Sequence, residues 1–118
     1  METQLENPME NPMNCLTLYL HPAEEYVVID ALRASPEVSG FTLTRCEGHS
    51  TRNPSEANAN AIDLVVGFVP RMRIEVILPS SAVDPVLGRV QAGLGPDSKG
   101  HYAVTPVLRS GSLSKGQN

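Results

Sequence analysis

Tryptophan is absent from this chain of 118 residues, and the aromatic set is two Phe and three Tyr. That leaves little with which to wall a hydrophobic catalytic pocket. Cysteine is confined to Cys15 and Cys46, too few for the disulfide framework of a small secreted domain, so both are expected as reduced thiols. A basic excess is also missing: nine Lys and Arg stand against 13 Asp and Glu, for a net charge of -4. The cations are scattered rather than striped, which argues against nucleic acid as the main partner. No apolar run approaches the roughly 20 residues needed to span a membrane. The N-terminus shows no charged-then-apolar leader pattern, so the expected location is the cytoplasm.

A chain of this length supports one domain. Its opening, METQLENPMENPM, repeats Glu-Asn-Pro-Met in tandem without hydrophobic periodicity, and residues 1–13 read as a disordered tail. A domain is expected over 14–111, and residues 112–118 read as a flexible C-terminal tail.

Within the domain, CLTLYLH alternates as a strand, with Leu16, Leu18 and Leu20 on one face and Cys15, Thr17 and Tyr19 on the other. Pro22 suits a helix start, Glu24 and Glu25 suit its positive end, and Val28, Ala31 and Leu32 keep helical spacing until Pro36 and Gly40. GFTLTRCEG (40–48) reads as a second strand and IDLVVGFVPRMRIEVILP (62–79) as a third, with Pro70 at a bend, bulge or edge. Val83, Val86, Leu87, Val90 and Leu94 then mark a second helix, GPDSKG (95–100) a turn, and HYAVTPVL (101–108) a last strand. The order predicts an α+β fold of the ferredoxin-like βαββαβ type, an antiparallel four-stranded sheet with two helices on one face. Between the second and third strands, HSTRNPSEANANA (49–61) has almost nothing to bury. Such a loop is expected to stay mobile until a ligand or partner orders it.

In this order and loop the chain resembles the PII signal-protein superfamily. GFTLTRCEG looks like the PII second strand, which opens on Gly, a bulky apolar residue and Thr, and closes on a Gly leading into the T-loop. FVPRMRIEVILPSSAVDPVLGRV (68–90) is similar to the PII run of apolar residue, Pro and alternating basic and apolar residues before Ile-Glu, an apolar stretch, Pro and a helix. The likeness covers about residues 16–109 and is closer to the divergent PII-like proteins of metal efflux, bicarbonate uptake or carboxysomes than to nitrogen-regulatory PII.

The resemblance implies a homotrimer, with a T-loop over about 49–61 and an adenine nucleotide held as effector between neighbouring subunits. Thr42 and Gly48 would contact base and phosphate region. Gly95, Lys99 and Gly100 would form a phosphate-binding turn, with amides gathered by glycine and a point charge from lysine. Arg109 falls where the family keeps a basic residue near the phosphates, whereas Gly111 stands where it keeps a second. ADP or AMP therefore fits better than ATP with magnesium. The implied function is non-enzymatic: signalling through the T-loop to a transporter or enzyme, with a small anion such as bicarbonate as a candidate second effector.

Three further patterns carry chemistry. His49 follows Gly48 directly, with Cys46 three residues before it, and imidazole and thiolate are soft ligands for copper or zinc. A metal-responsive protein of the efflux-associated kind is the alternative function. Arg71 and Arg73 alternate with Glu75 on one strand face, expected as a solvated or intersubunit face or as an anion site. No spacing arranges Ser50, Thr51, Asp63 or Cys46 with His49 as a catalytic triad, so no catalytic residue is expected.

Overall fold

The computed structural model describes residues 12–49 and 69–115. Four strands and two helices follow in the order β1 (Met13–Leu20), α1 (Glu25–Arg33), β2 (Thr42–Gly48), β3 (Val69–Pro79), α2 (Val83–Leu94) and β4 (His101–Val107). The strands form one sheet in the order β2-β3-β1-β4 with every neighbouring pair antiparallel. This is the ferredoxin-like α+β arrangement that the sequence predicts.

The β1–β3 register places Leu16 opposite Val76, Leu18 opposite Ile74 and Leu20 opposite Met72. Because strand side chains alternate, these residues share one face, and both helices pack on it. Val28 and Leu32 from α1 and Val83, Val86, Leu87 and Val90 from α2 complete a core in which most side chains are fully buried. On the opposite face of the same two strands stand Cys15, Thr17, Tyr19, Arg71, Arg73, Glu75 and Ile77, which no described helix covers.

Local signals explain the boundaries. A 3-10 turn, Pro22–Glu24, precedes α1, and His21 caps it: its Nδ1 accepts from the Ala23 amide at 3.0 Å, while its own amide donates to Glu24 Oε1 at 3.1 Å. That is a capping box with histidine in the place usually taken by serine or threonine. His21, directly after the last residue of β1, is thus a helix cap. Ser35 closes α1 by donating its hydroxyl to the Ala31 carbonyl at 2.8 Å.

A second 3-10 turn, Ser80–Ala82, precedes α2. At its other end Gly95 has φ 82° and ψ 179°, a conformation essentially confined to glycine. Proline obeys strand logic twice. Pro106 lies in edge strand β4, and Pro70 lies beyond the last β1–β3 pair, so only its β2 side is laddered. The expected strand residues 62–68, most of the expected tail and residues 50–61 of the expected T-loop lie outside the described residues. Met13, placed in the tail by sequence, is the first residue of β1.

Candidate functional site

The turn at residues 95–100 links α2 to β4 and stands at the mouth of the larger cleft. That cleft has a volume of about 580 Å³, with a floor of Leu18, Leu20, Val28, Leu87 and Val90 and a rim that includes Gly95, Ser98, Gly100, His101 and Tyr102. An apolar floor with a few convergent polar groups, within the usual range of ligand pockets, is what a small-molecule site looks like.

Backbone geometry requires glycine at both ends of this turn. Gly95 takes the positive φ that ends α2, and its amide donates to the Gln91 carbonyl at 3.0 Å. At Gly100 a Cβ would fall 2.7 Å from the Tyr19 carbonyl oxygen, a backbone atom with little room to yield. Hydrogen bonds then fasten the turn to α1's cap. The Gly100 amide donates to Ser98 Oγ at 3.2 Å, and the Ser98 hydroxyl donates to Glu24 Oε2 at 2.6 Å. Glu24 therefore serves two elements with one carboxylate, holding His21 with Oε1 and the turn with Oε2.

These bonds change what the glycines do. The amides of Gly95 and Gly100, expected to face an anion, are both engaged within the chain. Their contribution is shape: sharp reversal at one end and close approach at the other. Lys99 is exposed between them.

Tyr19 and His101 stack across β1 and β4 with ring centroids 5.0 Å apart and planes at 23°. The register pairs them directly, and Tyr19 also lies opposite Arg73, itself opposite Thr44. A single row thus crosses all four strands on the uncovered face: Thr44, Arg73, Tyr19 and His101.

The other sequence-predicted residues lie elsewhere. Gly48 ends β2 at the same end of the sheet as Gly100 but on the opposite edge strand, offset by three strand spacings, roughly 14 Å, across the sheet and by about three residues along it. A Cβ there would meet Arg71 Nε at 2.9 Å, so the Arg71 side chain lies over the space that glycine leaves. Thr42, six residues and roughly 20 Å up the strand, lines a second cleft of about 400 Å³ with Cys15, Glu75, Ile77 and Ser110. Arg109 is exposed beside Ser110, past the end of β4 where Val107 pairs with Met13. In one protomer Gly95, Lys99 and Gly100 come together, Thr42 and Arg109 fall at the other end, and Gly48 stands apart from both groups.

Nor do the two candidate metal ligands meet. His49 Nε2 lies 3.7 Å from Glu47 Oε1, and Cys46, one residue from Glu47, faces the other side of the sheet. Among the described residues no group of three His, Cys, Asp or Glu side chains is gathered for a metal ion.

Sequence reasoning did not single out Ser98, Glu24 or Tyr19 as site residues. Tyr19 and His101 could have been paired from the strand register; the Glu24–Ser98 tie spans 74 positions and leaves no local signature.

Among the described residues no helix is long and apolar enough to cross a membrane. No curated protein matches the chain. Among solved structures, the crystal structure of a DUF3240 family protein from Shewanella baltica OS155 is similar with a TM-score of 0.69 at 19% sequence identity. The match covers 86% of this chain and 97% of that one, a likeness of fold. The family described as "Protein of unknown function (DUF3240)" matches residues 10–114, and the chain belongs to the DUF3240 family.

Proposed function

We propose that this protein is a PII-like regulator that binds an adenine nucleotide, ADP or AMP in preference to ATP with magnesium, in a cleft between neighbouring copies of a homotrimer. The observation that carries the reading is the turn at 95–100, bounded by two geometrically obligatory glycines at the mouth of the larger cleft. A backbone that can be approached closely, with a lysine at its crest, is suited to a phosphate chain. The stacked Tyr19–His101 pair beside it would offer a wall to a ribose or base.

The distribution of the remaining residues favours an assembly. Thr42 and Arg109 are too far from Lys99 for one ligand to touch all three within a protomer, while each group borders its own concavity. Head-to-tail packing of copies around an axis brings one end of a subunit against the opposite end of the next, and a closed ring satisfies every copy alike. Signal transfer then follows from order. The nucleotide changes the state of the loop at 49–61, by as much as its affinity for the two loop states differs, and the loop engages a transporter or enzyme.

Isothermal titration of the full chain with ADP, AMP and ATP, with and without magnesium and bicarbonate, tests the reading. The expected result is saturable binding of ADP or AMP with a stoichiometry near one per chain, abolished by Lys99→Ala while sedimentation still reports a trimer. Absence of nucleotide heat from the wild type, with copper or zinc binding instead, would replace this reading with the metal-responsive one.

A further inference from the structure

His21 caps its turn with a group that can take up a proton. Its Nδ1 accepts from the Ala23 amide at 3.0 Å, so that nitrogen carries no proton while the cap is in place. An imidazolium, protonated on both nitrogens, has no acceptor to offer. The usual caps, serine, threonine, asparagine and aspartate, remain able to accept at neutral and mildly acid pH. The cap is also the first member of a relay. The His21 amide donates to Glu24 Oε1 at 3.1 Å, Glu24 Oε2 accepts from the Ser98 hydroxyl at 2.6 Å, and Ser98 Oγ accepts from the Gly100 amide at 3.2 Å. One carboxylate thus joins an imidazole in front of α1 to the turn at the mouth of the larger cleft.

We infer that His21 is a pH switch for the 95–100 turn. With the ring neutral, the Ala23 amide holds Nδ1 and Glu24 Oε2 is left to Ser98. A proton on Nδ1 breaks the cap and makes the ring a cationic donor beside that carboxylate, where it competes with the Ser98 hydroxyl. The turn then loses its anchor to the start of α1. Histidine is suited to this because its charge ordinarily changes between about pH 5 and 8. The other charged and titratable groups on the elements around it are Glu25, which faces Arg45 of β2, Arg71 of β3, one residue beyond the Leu20–Met72 pair, Asp97 and Lys99 of the turn, and the Tyr19–His101 stack. His101 is the one imidazole among them, and His49 after β2 is the third in the chain. The switch stands on the relay alone, whereas its consequence for a nucleotide rests on the function proposed above.

Nuclear magnetic resonance of the full chain between about pH 8 and pH 5, with amide exchange expressed as protection relative to an unstructured chain, tests the switch. The Ala23, Ser98 and Gly100 amides are expected to shift with one midpoint, that of the His21 ring. The Gly100 amide should lose protection about fivefold below it, as for one partly exposed hydrogen bond to a charged group. His21→Ser, which keeps a cap without a titrating ring, should hold the neutral-pH protection throughout, and His21→Ala should show the low value at both ends. His49→Gln and His101→Gln should leave the midpoint where it is. Gly100 protection that stays constant while the His21 ring titrates, or that still falls in His21→Ser, would overturn the proposal. Calorimetry with ADP keeps the two readings apart. Affinity should fall about fivefold over the same range in the wild type and stay level in His21→Ser, whereas no ADP binding at any pH would remove the nucleotide reading and leave the switch to stand on exchange.

Discussion

β1 and β3 carry two different surfaces on one backbone. Toward the helices they present Leu16, Leu18, Leu20, Met72, Ile74, Val76 and Leu78, all buried. Away from the helices the same strands present Cys15, Thr17, Tyr19, Arg71, Arg73, Glu75 and Ile77. The first face explains why the chain folds: each buried aliphatic side chain contributes about 1.5–3 kcal/mol relative to exposure. On the second face only Thr17 is buried, yet that face holds a buried, unpartnered arginine nitrogen and a tyrosine-histidine stack. Groups that add little to folding and are nonetheless positioned in rows across four strands are the ones to interrogate for binding.

The sharpest way to break this contrast is to truncate neighbours on opposite faces. Leu16→Ala or Ile74→Ala, each at a fully buried position, should destabilise the protein by about 2–5 kcal/mol in urea unfolding. Thr17→Ala, adjacent in sequence and also buried but on the other face, removes only a methyl and a hydroxyl and should cost about 1 kcal/mol. Equal losses at Leu16 and Thr17 would mean that the second face is also a core.

Next in size is the glycine turn, which belongs to neither face. Gly95→Ala forces a side chain into a backbone region reserved for glycine and should cost about 1–3 kcal/mol. Gly100→Ala should displace the backbone by the Tyr19 carbonyl and remove nucleotide binding even where the fold survives. Smaller still is Ser98→Ala, which cuts the tie to Glu24. The loss of one hydrogen bond to a charged group is worth about 1.5–3 kcal/mol when fully sheltered. Here partial exposure reduces the expected cost to about 1 kcal/mol, and faster amide exchange confined to 95–100 is the readout.

The smallest effect belongs to the exposed pair Glu37–Arg89, joined at 2.7 Å and 3.3 Å. The hydrogen bond from Arg89 holds the Glu37 carboxyl below its ordinary value of 4.5. A depressed carboxyl stabilises the fold above its unfolded pKa, and that contribution disappears as pH falls through the lower, folded value. Stability measured from pH 7 downward should therefore differ between wild type and Arg89→Gln at neutral pH and converge in acid. The difference should shrink with added salt, because the pair is solvent-exposed.

Much of this was legible in sequence because burial imposes period. The alternation of Leu16, Leu18 and Leu20 and the spacing of Val83, Val86, Leu87 and Val90 marked strand and helix faces directly. Proline and glycine marked the breaks, including an edge position at Pro70. The site was less legible for two physical reasons. Glu24, Ser98 and Gly100 meet only through tertiary packing, so no spacing rule links them. His21 also took a capping role usually filled by a hydroxyl or carboxylate, which composition does not announce. Cys46 and His49 illustrate the converse: closeness in sequence does not survive the pleat, and His49 lies beside Glu47 instead.

The central claim is that one ligand is held by the turn of one copy and by the Thr42 end of the next. Co-refolding a Lys99→Ala chain with a Thr42→Glu chain, each unable to bind ADP alone, tests it most directly by calorimetry on the mixed assembly. If neighbouring copies share the site, a mixed ring regains about one intact site for every three chains. No recovery of binding in mixtures that sedimentation shows to have co-assembled would contradict the account and confine the ligand to a single protomer.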